Sequence, residues 1–253
     1  MIAVPQRHPY QGVLQIVRFN WPRYLVPTAC IGAAAFVHPL LTPQGSILLL
    51  AATLPLMFWT FSSVLVSHYI YDCSRLYDLA WLPRAVKRSP RRWLSIHCGF
   101  DEFSPLLAAQ FPTAAGQQID IFDPHSMTEN SIRRARRAQL GMAYPVTARF
   151  DALPFKSGIF DTVFCIFAAH ELRRRDDRGR LFAEIGRLLD AGGALVLVEH
   201  LRDWPNFLAF GPGFLHFHSW RAWQHAASEA GLKLRSEFPF TPFVRIAIFR
   251  RAV

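Results

Sequence analysis

The apolar residues of this chain fall into runs of two lengths, and the lengths separate its parts. Residues 160–167 form an eight-residue run in which only Asp161 and Thr162 are polar. Residues 194–198 form a second short run, launched from Gly192 and Gly193. Short bulky runs bounded by turn residues read as buried strands. Between them lies a polar, arginine-rich stretch with helical spacing, residues 178–189. Two buried strands joined by a helix imply a parallel sheet covered on both faces. The same alternation extends in both directions. It predicts strands over 93–97, 118–122, 145–148, 162–167, 194–199, 233–238 and 243–250. It places helices over 104–111, 128–139, 178–189 and 219–230. The last two strands have no helix between them. The expected fold is a Rossmann-like, doubly wound α/β domain with a seven-stranded sheet.

The longer runs come earlier. Residues 25–41 and 46–66 contain no Lys, Arg, Asp or Glu. The second is long enough to cross about 30 Å of hydrocarbon as a helix. The first is near the short limit, with Trp21 and Tyr24 at its edge as interfacial anchors. The uncharged turn Thr42-Pro43-Gln44-Gly45 joins them. The pattern predicts a two-helix transmembrane hairpin in residues 1–66 and a globular domain in residues 67–253. Residues 10–24 would lie in the interface as an amphipathic helix.

Charge then sets orientation. Lys and Arg number 28 against 18 Asp and Glu, a formal net charge of +10. Arg7, Arg18 and Arg23 precede the hairpin, while Arg75, Arg84, Lys87, Arg88, Arg91 and Arg92 follow it. The positive-inside rule puts both ends in the cytoplasm, with the hairpin in the inner membrane. Basic clusters at 84–92 and 133–137 suit anionic membrane lipids. With no recognition module in the chain, nucleic acid is not an expected partner. The four cysteines, Cys30, Cys73, Cys98 and Cys165, form no C-x-x-C pair and suggest a reducing compartment.

Three stretches resemble class I S-adenosylmethionine (SAM) dependent methyltransferases of the ubiquinone/menaquinone type. They are Leu153-Pro154-Phe155 followed by Phe160-Asp161-Thr162-Val163, then Leu189-Asp190-Ala191-Gly192-Gly193, and upstream Tyr71-Asp72 with Tyr77-Asp78. The resemblance implies SAM as cofactor. It implies that Tyr77 caps the methionine end, and that the turn after the first strand carries it through His97, Gly99 and Asp101. That turn departs from the family's D-x-G-C-G-x-G: Ser95, His97 and Asp101 replace the acidic residue and two glycines, and only Cys98-Gly99 is retained. A carboxylate at the end of the second strand would hold the ribose. Asp123 is the choice, since Asp120 is expected inside the strand. Asp151 would face the adenine, and Phe167 would border the cofactor at the end of the fourth strand.

Chemistry should sit at the carboxyl ends of strands four and five. His170, Glu171 and His200 lie there. His216 and His218 follow in a segment with Phe207, Phe210, Phe214, Phe217 and Trp220, which suits a lipophilic acceptor. An imidazole among apolar groups can serve as a neutral base. These histidines show no i, i+4 pair with an acidic partner, so no metal is expected. The resulting expectation is a membrane-anchored SAM-dependent methyltransferase acting on a quinone-like or lipid acceptor. The degraded glycine turn keeps two alternatives open: SAM chemistry other than methylation, such as amino transfer to a quinone, and a membrane scaffold that has lost its cofactor.

Overall fold

A computed structural model describes residues 7–139 and 146–251. Its sheet has six strands: β1 (Arg92–His97), β2 (Ala115–Asp120), β3 (Phe160–Ile166), β4 (Leu189–Glu199), β5 (Leu232–Thr241) and β6 (Val244–Arg251), in the order β2-β1-β3-β4-β6-β5. β1 through β4 are parallel, and β6 runs antiparallel between β4 and β5. The strand order reverses at β1, so a crevice opens at the carboxyl ends of β1 and β3. The seventh strand, expected at 145–148, is reduced to a parallel bridge between Asp120 and Thr147. Residue 145 lies outside the described residues.

Period-two alternation divides the core. From β3, Val163 and Cys165 join one layer while Phe164 and Ile166 join the other; from β4, Leu195 and Leu197 oppose Val196 and Val198. The first layer is closed by α7 (Arg175–Leu188) through Leu181, Phe182 and Ile185, and by α9 (Trp220–Glu229) through Trp223. The second is closed by α5 (Ser104–Gln110) through Leu107, and by the short α4 (Leu82–Ala85). The Gly192-Gly193 turn expected before the fifth strand is part of β4. Gly192, at φ +86°, lies where the register with β3 slips, so the pair makes a bulge rather than a turn.

The amino-terminal helices are α1 (Gln11–Phe19), α2 (Pro22–Val37) and α3 (Pro43–His68). Tyr24 and Ser63 share a hydrogen bond of 3.0 Å, which sets α2 and α3 antiparallel. Only one helix among the described residues, spanning Pro43–Cys73, is long and apolar enough to cross a membrane; α2, at 16 residues, is not. The expected hairpin shape is present, but the two-span reading is not established by it. α3 continues through a wide π turn, Tyr69–Cys73, directly into the globular part. Its lower half packs there, with Trp59 edge-on to Phe207 of α8 (Trp204–Phe210) at 5.4 Å, and Ser62 donating to the Leu208 carbonyl.

Candidate active site

A cavity of about 970 Å³ runs from the carboxyl ends of β1 and β3 to the groove between α2 and α3. His97, Cys98 and Phe100 line its cofactor end, and Phe167, His170, Glu171, His200, His216 and Phe217 its middle. Val26, Pro27, Ala52, Pro55, Leu56 and Trp59 form its outer wall.

At the cofactor end the turn after β1 is closed on itself. His97 is buried, and its Nδ1 accepts the Gly99 N–H at 3.1 Å. Asp101 accepts the N–H groups of Phe103 and Ser104, so it caps α5. Gly99 has φ +84°, and a Cβ there would collide with the Arg136 side chain. Arg136, on α6 (Asn130–Gln139), reaches across that glycine to the Asp120 carboxylate and lies over the Phe122 ring at 4.2 Å. Asp120 is the last residue of β2 and is fully buried. It holds the strand-end position expected of Asp123, though like Asp123 it does not line the cavity, because Arg136 covers it. Asp123 does not line the cavity; it caps its own turn through His125 N and Ser126 Oγ. Asp151 also lies off the cavity, bound by Arg149 and Arg180.

Tyr77 does reach the cavity, though residues 74–81 are irregular rather than helical. Its hydroxyl donates to Glu102 at 2.9 Å, its ring stacks on Phe103 at 4.8 Å, and the Arg7 guanidinium covers the other face. Burial, then the nearby Glu102 charge, hold its phenol well above the usual range. Glu102 gathers Arg7, Gln11 and Gln15 as well, which latches α1 over the cofactor end. Asp72 fixes the start of that helix by accepting from Gly12 N at 2.6 Å and Val13 N at 3.0 Å. Sequence reading missed Glu102, Asp72 and Arg136. Asp72 stood in the Tyr71-Asp72 text and Arg136 in the basic cluster at 133–137, but neither pattern pointed to these contacts.

The middle of the cavity brings His170, Glu171 and His216 together. His170 Nδ1 lies 2.7 Å from Glu199 Oε2, and its Nε2 lies 3.5 Å from Glu171 Oε1. His216 Nε2 lies 3.8 Å from the same oxygen. Burial alone would lower the His170 pKa, but the Glu199 and Glu171 carboxylates outweigh it and lift it to about 10. Glu171 is held low: His170 and His216 overcome its own burial. His200 differs. Both its nitrogens are used, Nδ1 toward the Phe243 carbonyl at 2.9 Å and Nε2 toward Tyr71 Oη at 2.8 Å. Packed between Phe167 and Phe217 rings, it is pushed by burial down to about 3 and stays neutral. It orients the Tyr71 hydroxyl and has no nitrogen free to act as a base. His218 does not line the cavity; it sits against Trp223 and Arg178 as a packed core residue. Phe167 holds φ +49°, a conformation rare outside glycine, at the point where β3 meets the cavity.

The fold and this crevice define a class. Residues 94–197 match the family model described as a methyltransferase domain. A SAM-dependent methyltransferase from Aquifex aeolicus superposes with a TM-score of 0.55 at 15% identity, over 72% of this chain and 95% of that one. Geranyl diphosphate C-methyltransferase from Streptomyces coelicolor A3(2) superposes with a TM-score of 0.52 at 13% identity, over 76% and 84%. At these identities the likeness shows the fold. In sequence, squalene methyltransferase 1 of Botryococcus braunii is 27% identical over 130 residues, 45% of this chain. The match spans about a third of that relative, 34% of its length. Residues 94–197 thus carry the likeness to a methyltransferase domain, and the superpositions show that the chain has the fold of SAM-dependent methyltransferases. Gly99 and Asp120 are the residues that would meet SAM, and Arg136 fills the space over Gly99 and pairs with Asp120, so the crevice fits that cofactor only with the Arg136 side chain displaced.

Proposed function

We propose that this chain is a membrane-anchored methyltransferase that modifies a lipophilic acceptor at the cytoplasmic face of the inner membrane. The observation that carries this reading is the continuity of the cavity. One space joins the cofactor end to a groove walled by the apolar helices α2 and α3. A head group at His170 and Glu171 would leave its tail in that groove. A hairpin anchor also concentrates the site where such acceptors partition. The relatives are named for squalene and for geranyl diphosphate, both molecules with an isoprenoid chain, which supports a lipophilic acceptor. A quinone-like ring or a lipid head on a long chain fits the same space.

When bound, SAM supplies an electrophilic methyl group. The protein's part is alignment and exclusion of water. Asp120 would hold the ribose once Arg136 withdraws, and Tyr77 and the α1 latch close the methionine end. Phe103, Phe167, Phe210 and Phe217 surround the acceptor position with apolar surface. Glu171 and His216 are the polar groups that would face the head of the acceptor, with Glu171 Oε2 free of any partner of its own.

The test uses the full chain purified in detergent, labelled SAM and a membrane lipid extract. Label should enter the organic phase, and the product should gain one CH2. Leu56→Trp, which fills the outer groove, should abolish turnover of long-chain acceptors while short-chain analogues of the same head remain substrates. No binding of SAM at millimolar concentration would instead favour the scaffold reading, to which the self-closed turn at His97 lends support.

A further inference from the structure

Glu171 on the cavity wall and buried Glu199 behind it are carboxylates with no Lys or Arg salt-bridge partner among the described residues. Among the described residues, the basic groups within salt-bridge distance of them are imidazoles. One ligating atom each from His170, Glu171 and His216 lies within 4.8 Å of the others. Ligands about 2.0–2.2 Å from a tetrahedral zinc ion stand roughly 3.4 Å apart. The two pairs at 3.5 Å and 3.8 Å already approach that spacing. We propose that His170, Glu171 and His216 bind one divalent transition-metal ion, of the zinc type, with an open position facing the cavity.

The surroundings match what a ligating histidine needs. His170 meets the cluster through Nε2 because its Nδ1 is held by Glu199 at 2.7 Å. That is the carboxylate–histidine–metal arrangement, in which the outer carboxylate fixes the ring and its tautomer. His216 likewise presents Nε2, with its Nδ1 3.6 Å from Glu129 and 3.4 Å from the Arg173 guanidinium. Glu171 Oε2 is buried and has no hydrogen-bond partner, so a second carboxylate oxygen is available to the ion. Two imidazoles and one carboxylate form a borderline-soft set suited to zinc or a neighbouring ion rather than magnesium or calcium. Three protein ligands with one position open mark a reactive centre, whereas closed four-ligand sites are structural. Local spacing gave no sign of this site, because its ligands come from residues 45 apart in sequence that meet only through the β3 and β4 ends. Binding of the ion stands by itself. Its use, to coordinate an oxygen on the head group of the acceptor, rests on the reading above and narrows the acceptor to oxygen-bearing lipophiles.

The experiment takes the full chain in detergent, purified without a polyhistidine tag and stripped with a chelator. Zn2+ is titrated by calorimetry, and Co2+ by visible absorption. One Zn2+ per chain is expected, and Co2+ should give the intense ligand-field bands of a four-coordinate site. His216→Ala should weaken Zn2+ binding about 100-fold, and Glu199→Gln, which touches no ion, about 10-fold or more. Thermal melts of the metal-free variants establish that they fold; His216 is on an outer segment and its loss leaves the sheet intact. Zn2+ binding to the wild type no tighter than to His216→Ala, or no tighter than to Glu171→Gln, overturns the site. SAM titrated separately keeps the readings apart. Zn2+ without SAM binding upholds the site and sinks methyl transfer, and SAM without Zn2+ binding does the reverse.

Discussion

On the proposed reading, Arg136 occupies the ground that the cofactor would take. Its guanidinium pairs with Asp120, lies over Phe122 and fills the space above Gly99, three contacts expected of a bound nucleoside. Removing a competitor tightens binding by the competitor's own hold. Arg136→Ala is therefore expected to tighten SAM binding several-fold by calorimetry. It should also cost about 1–3 kcal/mol of stability, since buried Asp120 loses its partner. Weaker SAM binding in that variant would make Arg136 a cofactor ligand instead. Asp120→Asn should weaken SAM binding, and Asp123→Asn should leave it unchanged. His200 gives a second test. Its folded pKa, about 3, lies below the unfolded value near 6.5. The unfolded chain thus binds the extra proton, and stability falls as pH drops from about 6.5 toward 3. The slope from this group is at most about 1.4 kcal/mol per pH unit. His200→Gln should flatten that part of a stability–pH curve measured by denaturant melts; an unchanged slope would mean that His200 is not buried neutral. At this scale the sequence was legible only where residue type was unusual. It picked out His170, Glu171 and His216, but Asp120, Asp123 and His218 differ in side-chain direction, which is set by where a strand stops.

Among the elements, the short α1 depends on one carboxylate for its place. Asp72 takes the first free N–H groups of the helix, and Tyr71 packs so near Gly12 that no Cβ would fit. An isolated nine-residue helix is marginal in water, so this cap and the Glu102 cluster decide whether it stays down. Asp72→Asn should lower stability by about 1 kcal/mol. Amides of residues 11–19 should exchange faster with deuterated solvent, and KM for SAM should rise, with little change in kcat at saturation. If exchange over α1 is unaltered, the latch resides elsewhere. The strands were readable because a buried parallel sheet demands unbroken apolar runs, and their order follows from alternation with helices. The Gly192 bulge was not, because a left-handed glycine reads the same in a turn and inside a strand. The long helix from residue 43 was readable from its uncharged length; its packing onto α8 was not, since Trp59 looks like any apolar residue of a span.

For the whole molecule, the apolar surface is what supports the proposed membrane location. Phe36, Leu40, Ile47, Leu48, Phe58, Phe61 and Leu65 on and beside α2 and α3 are exposed, as are Trp204, Leu208 and Leu215 on the domain face below them. A soluble monomer rarely leaves so continuous a patch in water. α3, with 26 residues, is about 39 Å long, more than the hydrocarbon thickness. α2 is shorter, but Trp21 and Tyr24 at its start can sit at headgroup level, and a shallow or tilted partner helix is tolerated at modest cost. On the proposed reading, Arg18 and Arg23 before α2 and Arg75 and Arg84 beyond α3 would hold both ends at the cytoplasmic face. The full chain should therefore sediment with inner membranes and resist alkaline carbonate. A reporter inserted at Gln44 should register outside the cytoplasm and one at the carboxyl terminus inside it. Leu48→Glu combined with Phe58→Glu alters two exposed positions that line no part of the cavity. It should release the protein to the soluble fraction and leave SAM binding intact, while methylation of membrane-dissolved acceptor falls with the lost proximity. If the wild type is already soluble, or if Gln44 registers inside the cytoplasm, the hairpin does not span. The outer groove would then open onto water, and the case for a bilayer-borne acceptor would fall with it.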